Sequence, residues 1–237
     1  MATRRTVNEE ASGPGDLSSG ITRSVLERDG IRAALQMRHP DVPLASDAQL
    51  RASIAETRAL CPAQDTTGVW VFAYGSLLWN PCVAVAEARR ARLYGFHRDF
   101  RLQLDYGRGS PEAPGLMLGL VPGGSCRGMA LRLPDNDLDH ELLMVWRREM
   151  LTGVYKPRWL SLRTADGPVT AIAFVVDPTH RCHCQLDDPE VVRLLATGHG
   201  MLGSSADYLV NTVAHLEAEG IHDSRLEALR ARVTRWR

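Results

Sequence analysis

The stretch Val69-Trp70-Val71-Phe72-Ala73-Tyr74-Gly75-Ser76-Leu77-Leu78-Trp79 decides the fold. Val69, Val71 and Ala73 alternate with Trp70 and Phe72, and both sets are apolar. A strand with one wet face alternates apolar and polar residues, so this unbroken run predicts a strand covered on both sides. The run ends at Tyr74-Gly75-Ser76, where glycine can take backbone angles closed to other residues. A turn there leaves amide groups around Ala73 to Leu77 without ladder partners. Such groups can cradle a carboxylate or another oxygen-rich substrate. The same residues also suit a plain core strand and its tight turn. The loop lacks a Gly-Lys-Ser/Thr ending and a second glycine pair, which makes it a poor phosphate loop.

Further along, residues 91–103, 116–121, 126–133, 159–162 and 169–176 read as short strands. Pro122-Gly123-Gly124 separates the second from the third, and Asp166-Gly167 marks a hairpin turn between the last two. No regular alternation of strand and helix joins them. A compact α+β arrangement with a mixed or antiparallel sheet, or a small barrel, therefore fits better than a doubly wound fold.

The chain has 237 residues, 44% of them apolar, enough for a sizeable core with appendages. Its 28 basic residues balance 28 acidic ones, so the electrostatic footprint of a nucleic-acid binder is missing. No apolar run reaches membrane-spanning length, and no signal-peptide segment opens the chain. Five cysteines without framework spacing fit a reducing cytoplasm better than a secreted scaffold. Residues 1–24 are expected to form a disordered tail and residues 25–67 a helical extension. In that extension Ser46 and Gln49 form a capping box, and the chemistry is left to residues 68–237.

One helix carries the second signal. Asp137 is a plausible N-cap for a helix over residues 138–150. Leu138, Leu142 and Val145 form its core stripe, and Glu149 falls within roughly 20° of Leu138 on the same stripe. Asp139, Arg147 and Arg148 are expected on the solvated face. A carboxylate on a buried stripe is costly unless paired or protonated. Either Glu149 escapes at the helix end, reaching solvent or pairing with Arg147, Arg148 or Lys156, or it is a partly desolvated acid suited to proton transfer.

His180-Arg181-Cys182-His183-Cys184 holds possible soft-metal ligands, but its spacing matches no standard zinc pattern. It reads as an exposed loop, with a metal site as the alternative. Residues 198–205 precede a helix reaching about residue 219, with Tyr208 in its first turn and Gly220 as terminator. That loop is either a structural cap or an aid to anion binding. A last helix, residues 223–233, brings Leu226, Leu229 and Val233 together.

Five stretches in order now resemble the ChaC-like γ-glutamylcyclotransferases: residues 69–81, 95–100, 128–134, 146–155 and 202–209. The first and fourth together are highly specific. The resemblance implies a small mixed β-barrel with flanking helices. It implies a lyase that splits glutathione into 5-oxoproline and cysteinylglycine with no metal and no organic cofactor. It assigns catalysis to Glu149 and substrate contacts to Val71, Phe72, Ala73, Tyr74, Gly75 and Ser76, with Leu77 adjacent and Tyr208 nearby. Two departures stand out: Ala73 replaces a usual glycine, and the family lacks the Cys182/Cys184 pair.

Overall fold

The computed structural model describes residues 17, 20–62 and 68–236. The tail expected over residues 1–24 lies largely outside the described residues. Three helices open the chain: α1 (Arg23–Glu27), α2 (Gly30–Arg38) and α3 (Asp47–Ala59). The capping box is present, with Gln49 N donating to Ser46 Oγ at 3.3 Å and Ser46 N donating to Gln49 Oε1 at 2.8 Å. There follow β1 (Trp70–Ala73), β2 (Glu87–Leu104), β3 (Gly115–Arg132), α4 (Leu138–Glu149), β4 (Tyr155–Thr164) and β5 (Gly167–Val176). The chain ends in α5 (Asp188–Thr197), the short pair β6 (His199–Gly200) and β7 (Gly203–Ser204), α6 (Ser205–Ala218) and α7 (Ser224–Trp236).

The five long strands close into a barrel in the order β1-β3-β2-β4-β5. Closure comes from the parallel pairing of β5 with β1, where Trp70 faces Ala171 and Val71 faces Ile172. One apolar cluster draws on all five strands and on no helix. Trp70, Phe72, Leu93, Leu120, Leu162 and Ala173 belong to it, and it fills the barrel interior. Val71 and Ala73 belong instead to the layer between the barrel wall and the helices. β1 is thus buried on both faces, as its unbroken apolar pattern requires.

Four expectations are corrected. The runs 116–121 and 126–133 form one strand, β3, instead of two. Opposite Gly95, whose φ is 83°, β3 carries the extra residues Gly123 and Gly124 at φ 104° and 65°. Such a bulge absorbs Pro122 without breaking the ladder. Asp137 does precede α4, but its carboxylate makes no capping hydrogen bond, because a 3-10 turn over Asp135–Asp137 leads into the helix.

Arg147 and Arg148 are not solvated; their side chains are 12% and 4% exposed. α1 and α3 cover that side of α4, and Arg147 reaches across to Asp47 and to Leu26 O at 2.8 Å. The segment 180–184 is no free loop. It pairs with the edge of β2, with Gln103 N donating to Cys182 O and Cys184 N to Arg101 O, both at 2.9 Å, and Cys182 is buried. Among the described residues no three His, Cys, Asp or Glu side chains gather as a metal site.

Helix α5 has no counterpart in the sequence reading, although Asp187 caps it by accepting from Glu190 N at 3.0 Å and Pro189 lies in its first turn. The ion pair of buried Glu141 with Arg23, at 2.7 Å, also went unread. No helix among the described residues is long and apolar enough to cross a membrane.

Candidate active site

Strand β1 ends at Ala73 and delivers Tyr74 to the mouth of the barrel. Buried Arg98 donates from Nη1 to Tyr74 O at 2.6 Å and also reaches Arg127 O. Its Nε lies 3.0 Å from Asp223 Oδ2 as an ion pair but lacks hydrogen-bond alignment. The start of the turn is therefore held from behind by a guanidinium. Leu78 N then donates to Gly75 O at 2.9 Å and Asn80 N to Ser76 O at 3.0 Å. Among the described residues the amides of Gly75 and Ser76 donate to no backbone carbonyl.

Gly75 does not use the left-handed region, since its φ is −136°, but its ψ of −128° falls outside the ranges that other residues favour. It also supplies room: a Cβ there would lie 2.8 Å from Tyr208 Oη. Tyr208 stands in the first turn of α6, which Ser204 caps by accepting from Asp207 N at 3.0 Å. The ring is buried against Phe100 and Trp79, and burial pushes its phenol up to about 12.

Glu149 is the last residue of α4, with its side chain 12% exposed. Burial raises it above the ordinary carboxylate range. The Arg148 charge, and a hydrogen bond from Arg148 Nε to Glu149 Oε1 at 3.0 Å, work against that rise. Arg148 is held in turn by Asn80 O. Tyr74 and Tyr155 flank the acid and donate their hydroxyls to Phe174 O at 2.7 Å and Leu118 O at 2.8 Å. Burial and the nearby Glu149 charge push both phenols far upward, so they remain neutral.

Two cavities meet at this acid. The smaller is lined by Tyr74, Gly75, Ser76, Leu77, Leu118, Phe174, Glu149, Tyr155 and Tyr208. The larger, about 240 Å³, shares Ser76, Glu149, Tyr155 and Tyr208 with it and adds Trp79, Asn80, Tyr106, Arg108 and Arg148. The structure thus brings together Tyr74, Gly75, Ser76, Leu77, Glu149 and Tyr208. Val71, Phe72 and Ala73 line neither cavity and lie within β1 and its two apolar layers.

Two contributors were missed in the sequence and a third was half placed. Arg148 was assigned to the wet face, although it was also offered as a partner for Glu149, the pairing the structure shows. Arg108 was passed over, although Gly107 and Gly109 on either side mark a special backbone. Ile21, Ile31 and Leu35 of the N-terminal helices and their lead-in wall the larger cavity, and Asn80 Nδ2 fastens Ile21 O at 2.7 Å. No short-range signal announces that contact.

A closed barrel thus carries a buried acid beside a hollow of about 240 Å³. A family model described as ChaC-like protein matches residues 69–236. The *Escherichia coli* (strain K12) protein named glutathione-specific gamma-glutamylcyclotransferase is 42% identical over 188 residues, covering 78% of this chain and 80% of its own length. The *Mus musculus* glutathione-specific gamma-glutamylcyclotransferase 1 is 28% identical over 174 residues, covering 70% and 78%. A crystal structure of a yeast γ-glutamyl cyclotransferase specific to glutathione superposes with a TM-score of 0.66 at 19% identity, over 72% of this chain and 97% of that one. That last likeness shows the fold. The chain belongs to the ChaC-like family.

Proposed function

We propose that this protein degrades glutathione by intramolecular cyclisation of its γ-glutamyl group, releasing 5-oxoproline and cysteinylglycine. The observation that carries the reading is the position of Glu149. It is a desolvated carboxylate where two cavities meet, beside a turn with unengaged amides, in a chain 42% identical to a named glutathione-specific enzyme.

The substrate holds both reactants, so the protein needs only to fold the glutamyl chain into attack geometry and manage protons. Glu149 takes a proton from the α-ammonium. The freed amine attacks the γ-carbonyl carbon, closing a five-membered ring and placing negative charge on the carbonyl oxygen. Amides of the Tyr74–Leu77 turn stabilise that oxyanion or grip the glutamyl carboxylate. As the C–N bond to cysteine breaks, Glu149 returns its proton to the departing nitrogen, and the ring nitrogen's second proton follows it, so 5-oxoproline keeps one N–H and the amine leaves as an ammonium. A carboxylate lifted by burial yet steadied by Arg148 can serve in both directions. Tyr208, neutral and in contact range of the turn, is suited to donate to a substrate oxygen. Acyl and proton transfer change no oxidation state, so the chemistry calls for no redox group. The free thiols fit a reducing compartment, the cytoplasm.

The test is release of 5-oxoproline from reduced glutathione, followed by mass spectrometry. Glu149→Gln is expected to lower turnover by roughly 10²- to 10⁴-fold, the range of general acid–base catalysis, while keeping the fold. Retained turnover, or a variant that does not fold, defeats the assignment to Glu149. Turnover of other γ-glutamyl amines but not of glutathione would redirect the substrate.

A further inference from the structure

The larger cavity holds a cation that the cyclisation chemistry above leaves idle. Arg108 lies over two aromatic faces, its guanidinium carbon 5.1 Å from the Tyr208 ring centre and 5.6 Å from that of Trp79. Among the described residues it makes one long hydrogen bond, Nη1 to Ser204 O at 3.5 Å. Burial lowers its pKa, with Tyr208 working against that fall and Arg148 adding to it. Five N–H donors, a desolvated positive charge and a second guanidinium nearby describe a place short of an anion.

That place is built with care. Arg108 O accepts from Ser205 Oγ at 3.2 Å, and the same hydroxyl accepts from Leu116 N at 3.0 Å. Arg108 is thereby tied to the start of the helix that carries Tyr208. Leu202 N donates to Gly107 O at 2.8 Å. A Cβ on Gly200 would fall 2.2 Å from Gly109 O, so the β6–β7 hairpin and the Arg108 loop meet backbone to backbone. Close approach of this kind fixes the backbone from which Arg108 reaches the two rings.

Resting on the glutathione reading above, we propose that Arg108 is a specificity-determining residue that receives the glycyl carboxylate of the substrate. Glutathione brings one ammonium and two carboxylates. Glu149 meets the ammonium, the Tyr74–Leu77 turn meets the glutamyl end, and Arg148 is already engaged by Glu149 and Asn80. Among the described residues that line the two cavities, Arg108 is the cation left for the far carboxylate. One phenol ring, that of Tyr208, separates it from the Gly75 turn. A three-residue peptide extends roughly 10 Å, enough to bridge from the turn past that ring. A bidentate guanidinium–carboxylate contact on an aromatic floor then distinguishes glutathione from γ-glutamyl amines that end without a carboxylate.

The experiment measures kcat/KM for 5-oxoproline release from glutathione and from γ-glutamylcysteinylglycinamide, in which a carboxamide replaces the far carboxylate. Wild type, Arg108→Met and Arg108→Lys are compared, with thermal melts of each. Wild type is expected to prefer glutathione by about 10- to 100-fold, the range of one charge-assisted hydrogen-bonding pair. Arg108→Met is expected to bring the two substrates to near parity, chiefly through KM on glutathione. Arg108→Lys retains the charge and keeps part of the preference. If Arg108→Met does not fold, the wild-type preference and its partial survival in Arg108→Lys decide the matter. Equal losses on both substrates, or a wild type indifferent to the amide, overturn the role of Arg108. A wild type that releases 5-oxoproline from neither substrate overturns the proposed activity itself.

Discussion

Burial at the end of α4 lifts Glu149 above the carboxylate range, and among the described residues Arg148 alone gives it a side-chain hydrogen bond. The consequence for stability has a definite sign. In the unfolded chain a glutamate titrates near ~4.3, whereas the native state holds the Glu149 proton to a higher pH. Between those two values the folded protein binds the extra proton, so unfolding stability falls as pH rises through the window. Above the raised value the whole penalty of a buried charge is present; below the unfolded value it is absent. Glu149→Gln removes this contribution. Urea unfolding at a series of pH values is expected to show the variant gaining on wild type as pH climbs from about 4.3 upward. Parallel curves would mean that Glu149 ionises as freely as in the unfolded chain. The same ionisation is expected to shape activity: kcat/KM climbs with pH along a limb set by an acid weaker than ordinary glutamate.

Two elements, the β1 turn and the first turn of α6, touch through Gly75 and Tyr208. The Cβ of an alanine at Gly75 would sit 2.8 Å from Tyr208 Oη and drive the phenol out of place. Gly75→Ala is expected to destabilise by about 1–3 kcal/mol, the usual cost of overpacking, and to lower activity. Tyr208→Phe deletes the offending oxygen, so the stability lost to Gly75→Ala should be regained in the double variant when measured against Tyr208→Phe alone. Strictly additive losses in a thermal double-mutant cycle would show that glycine is there for another reason. This pairing also marks what the sequence could tell. The apolar run of β1, the box at Ser46 and Gln49, the Asp166-Gly167 hairpin and the stripe ending at Glu149 are signals among near neighbours, and each can be read in a window of a few residues. The stripe identified an acid that did not belong with its apolar companions. A helical wheel has one wet side and one dry side, however, so it assigned Arg148 to water. α4 has helices on one side and the barrel on the other, and that second layer is why Arg148 is buried with Glu149, the pairing its sequence position already allowed. Gly75 was rightly singled out for its backbone, but no local window shows that its neighbour Tyr208 lies more than a hundred positions along the chain.

At the scale of the molecule, the family match starts at residue 69, yet the hydrophobic core does not. Val25, Leu26, Leu35, Leu50 and Ile54 share one buried cluster with Leu142, Val145 and Trp146. Polar contacts stitch the same seam: Trp146 Nε1 donates to Ser53 Oγ at 3.1 Å and Trp159 Nε1 to Thr57 O at 2.6 Å. Ala45 N donates to Leu151 O at 2.9 Å, two residues past Glu149. A chain truncated to residues 68–237 would uncover the outer face of α4, leave two indoles without acceptors and remove Ile21, Ile31 and Leu35 from the cavity wall. Water would then reach Glu149, and a carboxylate returned to water loses the elevated pKa that its burial produces. Exposing several fully buried aliphatic and aromatic side chains forfeits about 1.5–3 kcal/mol each, against a total stability of only ~5–15 kcal/mol for a domain. The truncated protein is therefore expected to melt without a cooperative transition, to bind a hydrophobic dye and to release no 5-oxoproline. A truncated chain that melts cooperatively and keeps wild-type turnover would mean that the barrel and α4 are sufficient, and that the helices before residue 60 merely cover a site complete without them.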